Sequence, residues 1–564
     1  MKRFRSFVAK RHGARIAIAV AMFCLFMSGP APAQRTADAG SPAASSDPIL
    51  RAMTEELQRS KAQLKVDDVP APYYVEFRVS DVDEYDADAA FGALRHDERN
   101  HARTLRVVVR VGDYKQDSYY GPGVGAASLA PVDDDVRALR WQLWLATDAA
   151  YKAASEALAA KRAALRQFTA DQPFDDFAHA PVQQAIGPPV KLDFDAQTWK
   201  DALAKATSLY RTDAALQSLS ATARFRAVNQ YFVNSEGTET RQGYAVYSLS
   251  LNGATQAADG MQLDRSPYYA VSSAKNLPSA SQLQADTVKM IGTLKALREA
   301  PVVEEAYSGP VLFSPDAASD VFAGMVGANV LGIRPKPGES ARTAGEFAAN
   351  YKGRVLPKFV SIEDDPTLQT FDGKSLLGAY QTDDEGVPAA KVSLVQDGEL
   401  VNYLMDRLPI RDFPESNGHG RAAPGQVVSP NIGNLIVRSK ESMTPEELKA
   451  KLIQMARDAG RAYGYRVETL AGAQYAPRLL YRVYASDGHE ELVRGAVFDE
   501  LDTRALRNDL IAVGNDARVS NRQGAVPTTV IAPSILFDEI EVKRTDAKNA
   551  KLPEYPVPDL SASR

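Results

Sequence analysis

The chain has 564 residues, with 66 Lys and Arg against 71 Asp and Glu, a formal charge of −5, and a single cysteine. An acidic balance speaks against nucleic acid as the main partner, because phosphate binding needs a basic surface. The length is enough for a core that needs no cross-links, and no stretch after Met27 is apolar enough to span a bilayer.

In chain order, the first element is a leader. Lys2, Arg3, Arg5, Lys10, Arg11 and Arg15 precede an apolar run from Ile16 to Met27, and Ala31-Pro32-Ala33 follows. Basic head, short apolar middle and small-residue exit predict a secretory signal peptide over residues 1–33, cleaved after Ala33, and a periplasmic protein with no stable membrane anchor. Cys24 lies inside the run without a small-residue lipobox before it. All six basic residues of this segment would be lost, leaving 60 basic and 71 acidic residues and a charge of −11.

Residues 34–46 read as a flexible lead. Asp47-Pro48 then signals a helix start, and Ile49, Leu50, Met53, Leu57 and Leu64 keep helical spacing. Tyr73 to Val79 and Thr104 to Val111 alternate as strands. Pro131 to Phe168 predicts a long Ala-rich helix in which Trp141, Trp144 and Leu158 serve packing. Phe225 to Val233 and Tyr244 to Leu251 predict a hairpin around Asn234-Ser235-Glu236-Gly237, and Leu283 to Leu297 a helix. The expected fold class is α+β, with a helix-and-strand N-terminal domain over residues 47–300. A β-rich domain over residues 301–545 and a tail over 546–564 follow. That second domain opens with Val311-Leu312-Phe313, a helix from Ser314-Pro315 to about Leu331, and later a helix from Pro445 to Tyr463 behind Thr444.

Motifs for known chemistry are missing. No two histidines stand four apart on a helix as zinc ligands, and neither a G-x-S-x-G elbow nor a phosphate loop occurs. His96 and His101 flank polar residues and read as solvated loop positions, His179 likewise, and His489 as part of a charged turn. The acidic runs Asp364-Asp365 and Asp383-Asp384-Glu385 also read as solvated turns.

Several segments resemble the TldD/PmbA family, known as modulators of DNA gyrase and as metallopeptidases. They are Asp383-Asp384-Glu385-Gly386-Val387-Pro388, Asp397-Gly398-Glu399-Leu400 leading to Tyr403-Leu404-Met405-Asp406, Ser416-Asn417-Gly418-His419-Gly420-Arg421, and Val513-Gly514-Asn515-Asp516. The resemblance covers roughly Pro310 to Val542 and implies a curved, β-rich C-terminal domain. Active members carry His-Glu-x-x-x-His on the helix after a Gly-Pro-Val strand, with a later cysteine as third ligand. Here Gly309-Pro310-Val311 is present, but the motif positions are Ala323, Gly324 and Ala328, and the cysteine position falls on Val519 or Ser520.

The resemblance therefore implies the non-metal type of subunit, PmbA (TldE). Such a chain is inactive alone, has no cofactor of its own, and is paired with a homologous metal-bearing TldD-like subunit that holds the zinc. Its substrate would be a peptide or unfolded polypeptide, and its export departs from the best-known members. Asn417, Gly418, His419, Gly420 and Arg421 are the candidate peptide-binding residues, since flanking glycines let a backbone approach. The plain alternative is a structural turn with a solvated His419. Two rival functions are an autonomous peptidase with a non-standard site near His419 and a non-enzymatic peptide-binding envelope scaffold.

Overall fold

The first helix, α1 (Pro48–Gln63), begins where Asp47 accepts hydrogen bonds from the amides of Ile49 and Leu50 at 2.9 and 3.0 Å. That satisfies two of the donors a helix start leaves open. The computed structural model describes residues 46–65, 70–120, 125–167, 174–336, 339–471, 475–546, 550–555 and 558. The expected leader, nearly all of the lead and most of the tail lie outside the described residues.

Strands β1 (Pro72–Ala90) and β2 (Ala93–Val111) form a hairpin twice as long as the alternation predicts. The outer part was hidden because its residues are charged. Asp83 meets Arg99, Asp81 meets Arg103, and Asp88 meets Arg95 across the pair, which lets a polar sequence run as strand. His96 and His101 therefore sit on β2 rather than in a loop, and they are exposed there.

Next come β3 (Ala126–Ala130), α2 (Val136–Leu165), β4 (Gln184–Ile186), α3 (Ala196–Thr207), β5 (Leu216–Asn234), β6 (Glu239–Gln256), β7 (Gln262–Arg265), β8 (Tyr268–Val271) and α4 (Ala280–Glu299). One sheet orders as β3-β2-β1-β5-β6-β4, with β7 and β8 also on β6. Leu158 is buried in α2, but Trp141 is 62% exposed and Trp144 39% exposed, so the two tryptophans do not serve the core as expected. They sit on the helix side away from the buried stripe Leu139, Leu143, Ala150 and Ala154.

Side chains alternate along a strand. Val75, Phe77, Val79 and Tyr85, Ala87, Ala89 of β1 thus share one face of the sheet. Helices α1 and α2 cover its first end and α3 and α4 its other end. The opposite face, carrying Tyr74, Glu76 and Arg78, meets the C-terminal half.

That half begins with β9 (Tyr307–Phe313) and a short helix α5 (Pro315–Val321), capped by Ser314. The remaining elements are β10 (Val360–Asp364), β11 (Thr370–Phe371), β12 (Lys374–Ser375), β13 (Val392–Gln396), β14 (Glu399–Leu400), β15 (Gly420–Arg421), β16 (Ser429–Pro430), β17 (Asn434–Ser439), α6 (Pro445–Asp458), β18 (Tyr463–Ala471), β19 (Ala476–Tyr484), β20 (Glu490–Val493), β21 (Ala496–Asp499), α7 (Thr503–Asn508), β22 (Leu510–Val513), β23 (Arg518–Arg522), β24 (Thr528–Ala532) and β25 (Ile535–Arg544). Two large sheets result, ordered β14-β13-β10-β17-β24-β23 and β20-β19-β18-β9-β25-β21, the second carrying β22 on β25, while β11-β12 and β15-β16 pair as two-stranded ribbons. The β-rich region curls as a half-barrel, as the α+β expectation required. Its main core runs from Val311 and Phe313 through Val321 and Val326 to Ile362, Leu394, Val467 and Phe537. Helix α6 opens with a reciprocal cap between Thr444 and Glu447 and stops at Asp458, five residues before Tyr463, which starts β18 instead.

The halves are joined by Arg407, which is fully buried. Its guanidinium donates to both carboxylate oxygens of Glu236 at 2.7 and 2.8 Å and to the carbonyl of Ala178 at 2.7 and 3.0 Å, and lies 4.1 Å from the Phe177 ring centroid. Removing one partner of a buried pair typically costs about 3–5 kcal/mol, whereas exposed positions stay within about 0.5 kcal/mol. Arg407→Met is accordingly expected to lower stability in urea unfolding by about 3–5 kcal/mol, and Trp141→Ala to leave it nearly unchanged. The reverse order of effects would show that the halves are held elsewhere.

Candidate functional site

The motif helix is built around a widened turn. After α5 the backbone continues from Phe322 to Gly327 as a π-turn, and the amide of Ala328 donates to the carbonyl of Ala323 at 3.2 Å. The α-helix therefore ends at Val321 and not near Leu331 as the spacing suggested. Such turns bond residue i to i+5, which brings positions five apart to neighbouring places on one side. A His-Glu-x-x-x-His motif needs that proximity. In this chain the geometry is present and the donors are not.

Ala323 and Ala328 carry no donor atom. At Gly324 an added Cβ would stand 1.8 Å from the hydroxyl oxygen of Tyr475, so the place of a catalytic Glu is filled by a tyrosine from the turn just before β19. Val519 and Ser520 lie on β23, which Arg522 ties to the helix through Asp320 at 2.8 Å. Val519 offers no ligand and Ser520 only a hydroxyl. The residues present do not fit a tetrahedral zinc site. Among the described residues no three His, Cys, Asp or Glu side chains converge as metal ligands.

The segment Asn417–Arg421 is packed into the protein's own interior. His419 is fully buried, with Nε2 3.1 Å from Asp364 Oδ1 and Nδ1 3.0 Å from the Asn417 carbonyl. It is not the solvated residue that a plain turn predicted. Asn417 donates to the carbonyl of Tyr403 at 2.8 Å and accepts from the amide of Met405 at 2.8 Å. Arg421 is buried, with its guanidinium carbon 4.0 Å from the Tyr380 ring centroid and Nε 3.5 Å from Asp384. Gly418 adopts φ +75°, and a Cβ there would stand 2.2 Å from the Pro388 carbonyl oxygen. A Cβ at Gly420 would stand 2.9 Å from Glu385. What approaches both glycines in this chain is its own acidic turn. His179 and His489 are exposed and stack on Tyr114 and Tyr484, so the structure does not bring His489 to His419.

The acidic turns correct the sequence reading most. Asp364, Asp383, Asp384 and Glu385 are all buried. Asp383 accepts from the amides of Glu385, Val387 and Gly420 at 2.9–3.0 Å, and Asp384 from that of Ala422 at 2.6 Å. Glu385 accepts from the amide of Arg407 at 2.7 Å, and Asp406 from that of Leu408 at 2.8 Å. Three of the four family-like segments thus meet in one knot against the N-terminal sheet, where Glu76, Arg110 and Arg407 face the carboxylates. Burial pushes Asp383 and Asp406 well up, with Glu385 adding like-charge repulsion to both. Glu385 itself is pushed up to about 7, first by burial and then by Glu76. The sequence offered one signal for this knot: Gly386, Gly418 and Gly420 interleaved with acids, a pattern of backbone packed closely on carboxylates.

Residues 306–544 match the model of the PmbA/TldA metallopeptidase C-terminal domain. Among solved structures, TldE from Thermococcus kodakarensis is similar with a TM-score of 0.56 and 14% identity, covering 87% of this chain and 100% of its own. A protein described as a modulator of a DNA gyrase from Thermotoga maritima gives 0.57 and 16%, over 87% of this chain and 99% of its own. A protein also described as a modulator of DNA gyrase, from Bacteroides thetaiotaomicron, gives 0.55 and 12%, over 88% of this chain and 98% of its own. At these identities the likeness is one of fold. Comparison with curated proteins found no significant match.

The raised carboxylates give stability a pH dependence. A group whose proton is held more tightly when folded stabilises fully below its unfolded pKa, about 4.3 for Glu, and loses that contribution as pH rises through its folded value. For Glu385 the window runs up to about 7. Glu385→Gln, which keeps the acceptor for Arg407, is expected to gain stability over the parent by about 1–3 kcal/mol between pH 5 and pH 8 in urea titrations. A difference that stays flat across that range would mean Glu385 is ionised in the folded protein throughout.

Proposed function

This chain belongs to the TldD/PmbA family through its C-terminal domain, and on that premise we propose that it is the catalytically silent subunit of an exported peptidase complex. In this reading it completes a peptide channel beside a homologous TldD-like subunit that carries the zinc. The observation that supports silence most directly is the motif turn. It keeps its i to i+5 bond while both ligand positions are alanine and Tyr475 fills the space above Gly324. Export rests on the basic, apolar and small-residue order of residues 1–33.

The chain's own part is then structural and recognitive. The knot around Asp383, Glu385 and Arg407 fixes the N-terminal sheet against the half-barrel. The motif turn follows the helix whose Asp316 and Asp320 line the cleft, and it offers no metal ligand of its own. Hydrolysis would belong to the partner, whose ligands this chain lacks.

Two measurements test this. The purified chain is expected to hold no stoichiometric zinc in elemental analysis and to co-purify from its own envelope with a zinc-bearing homologue. One tightly bound zinc per chain with chelator-sensitive cleavage of peptides would overturn silence. A second test addresses how the site was dismantled. Inserting even a Cβ at position 324 forces the Tyr475 ring aside, and overpacking of this kind costs about 1–3 kcal/mol. Gly324→Ala should therefore lower the melting temperature, and adding Tyr475→Ala should make the Gly324→Ala change less costly. The triple change Ala323→His, Gly324→Glu, Ala328→His should still fail to turn over peptide, because no third ligand or orienting shell is present.

A further inference from the structure

A cleft of about 690 Å³ opens between the halves beside the first turn of α5. Strands β7 and β8 and helix α4 form one wall, and α5, β18, β19 and β23 the other. Its volume lies in the range of sites that take a small ligand or a few residues of peptide.

Most charges lining it are already matched. Arg478 pairs with Asp264 at 2.7 Å, Arg466 with Glu468 and Glu490, and Asp320 with Arg522 at 2.8 Å. Asp286 accepts from the Tyr269 hydroxyl at 2.8 Å and lies one helical turn from Lys289, while burial pushes Asp316 up and the nearby charge of Arg518 offsets part of that. Lys289 and Arg518 make no ion pair among the described residues either, but both are exposed to solvent; Arg265 is the half-buried cation of the lining without one. One of its nitrogens donates to the Thr469 hydroxyl at 2.7 Å, and among the described residues no carboxylate comes within ion-pair distance of it. Its nearest acids, Asp264 and Glu468, are held by Arg478 and Arg466, and a second guanidinium, Arg478, stands beside it. Burial, with Arg478 adding to it, lowers its pKa, the mark of a cation short of a counter-charge.

We propose that Arg265 receives a carboxylate of a short peptide lying in this cleft. The assignment rests on the peptide-channel reading and adds to it which chemical group of the ligand is held and by which residue. A guanidinium offers two parallel donors that match a carboxylate, and a half-buried cation without a counter-charge favours one such group. The Thr469 hydroxyl keeps the guanidinium in place between β7 and β18 while its other donors stay available.

The test is calorimetric titration of the full chain with N-acetyl-tetraalanine as the free acid, with its C-terminal amide, with an amide carrying one internal glutamate, and with inorganic phosphate. The free acid or the glutamate peptide is expected to bind about tenfold more tightly than the plain amide. Arg265→Gln should erase that difference, and Arg265→Lys should retain part of it, with both variants melting like the parent. Equal binding of all three peptides, an undiminished difference in Arg265→Gln, or phosphate displacing the free acid as well as another peptide does would overturn the assignment and leave the channel reading standing. No binding of any peptide, to the chain or to its complex with the partner, would sink both.

Discussion

The two halves of this fold are clasped through one buried cation. Arg407 extends from the C-terminal half into a socket made by Phe177, Ala178 and Glu236 of the other half, while its own amide holds Glu385. The backbone amide of Ala178 returns a bond to its carbonyl at 2.9 Å, so the clasp is closed from both sides. A desolvated guanidinium tolerates few geometries, because every unmet donor is penalised. Gln242 and Arg78 reinforce the clasp, donating to the carbonyls of Thr382 and Gln426 at 2.6 and 3.0 Å.

Much of the architecture was legible because its signals are local. The caps at Asp47, Ser314 and Thr444, the turn after Asn234 and the alternation of β5 and β6 all follow from side chains acting within a few residues. What escaped was decided across the chain. The outer half of the β1–β2 hairpin is strand because charges pair between strands, which one strand's pattern cannot show. The acidic run Asp383-Asp384-Glu385 looked like a surface turn since its donors, the amides of Gly420, Ala422 and Arg407, lie twenty or more residues away. Helical periodicity carried α5 too far because it cannot distinguish an α-turn from a π-turn over so short a run.

The same contrast explains what the family-like segments are. The likeness sits mostly in glycines and acids that close the knot between the halves, and such positions depend on the shape of the protein and not on any reaction. The motif helix, by contrast, has small residues, and the neighbouring Tyr475 occupies part of the volume beside it. The fold and the metal motif of the family thus rest on separate residue sets in this chain. That separation is what allows the fold to be read clearly where the donor residues of the motif are replaced by Ala323, Gly324 and Ala328.

The long hairpin has a mechanical consequence. Strands of 19 residues reach about 60 Å at the usual rise, and residues 93–102 of β2 are exposed on both faces, with β3 bracing only the stretch from Arg103 to Val107. Beyond that brace the outer part of β2 is held by its ladder, by Lys200 of α3 on Asp97, and by charges paired between strands: Arg95 with Asp88, Arg99 with Asp83, and Arg224 of β5 with Asp86. A charged edge resists pairing with other strands, which protects the arm from sticking to its neighbours. Exposed pairs weaken as counter-ions crowd in, with a screening length near 10 Å at about 0.1 M salt. The stiffness of this arm is therefore tied to the ionic strength around it, so that salt acts on the outer hairpin while leaving the buried clasp at Arg407 largely untouched.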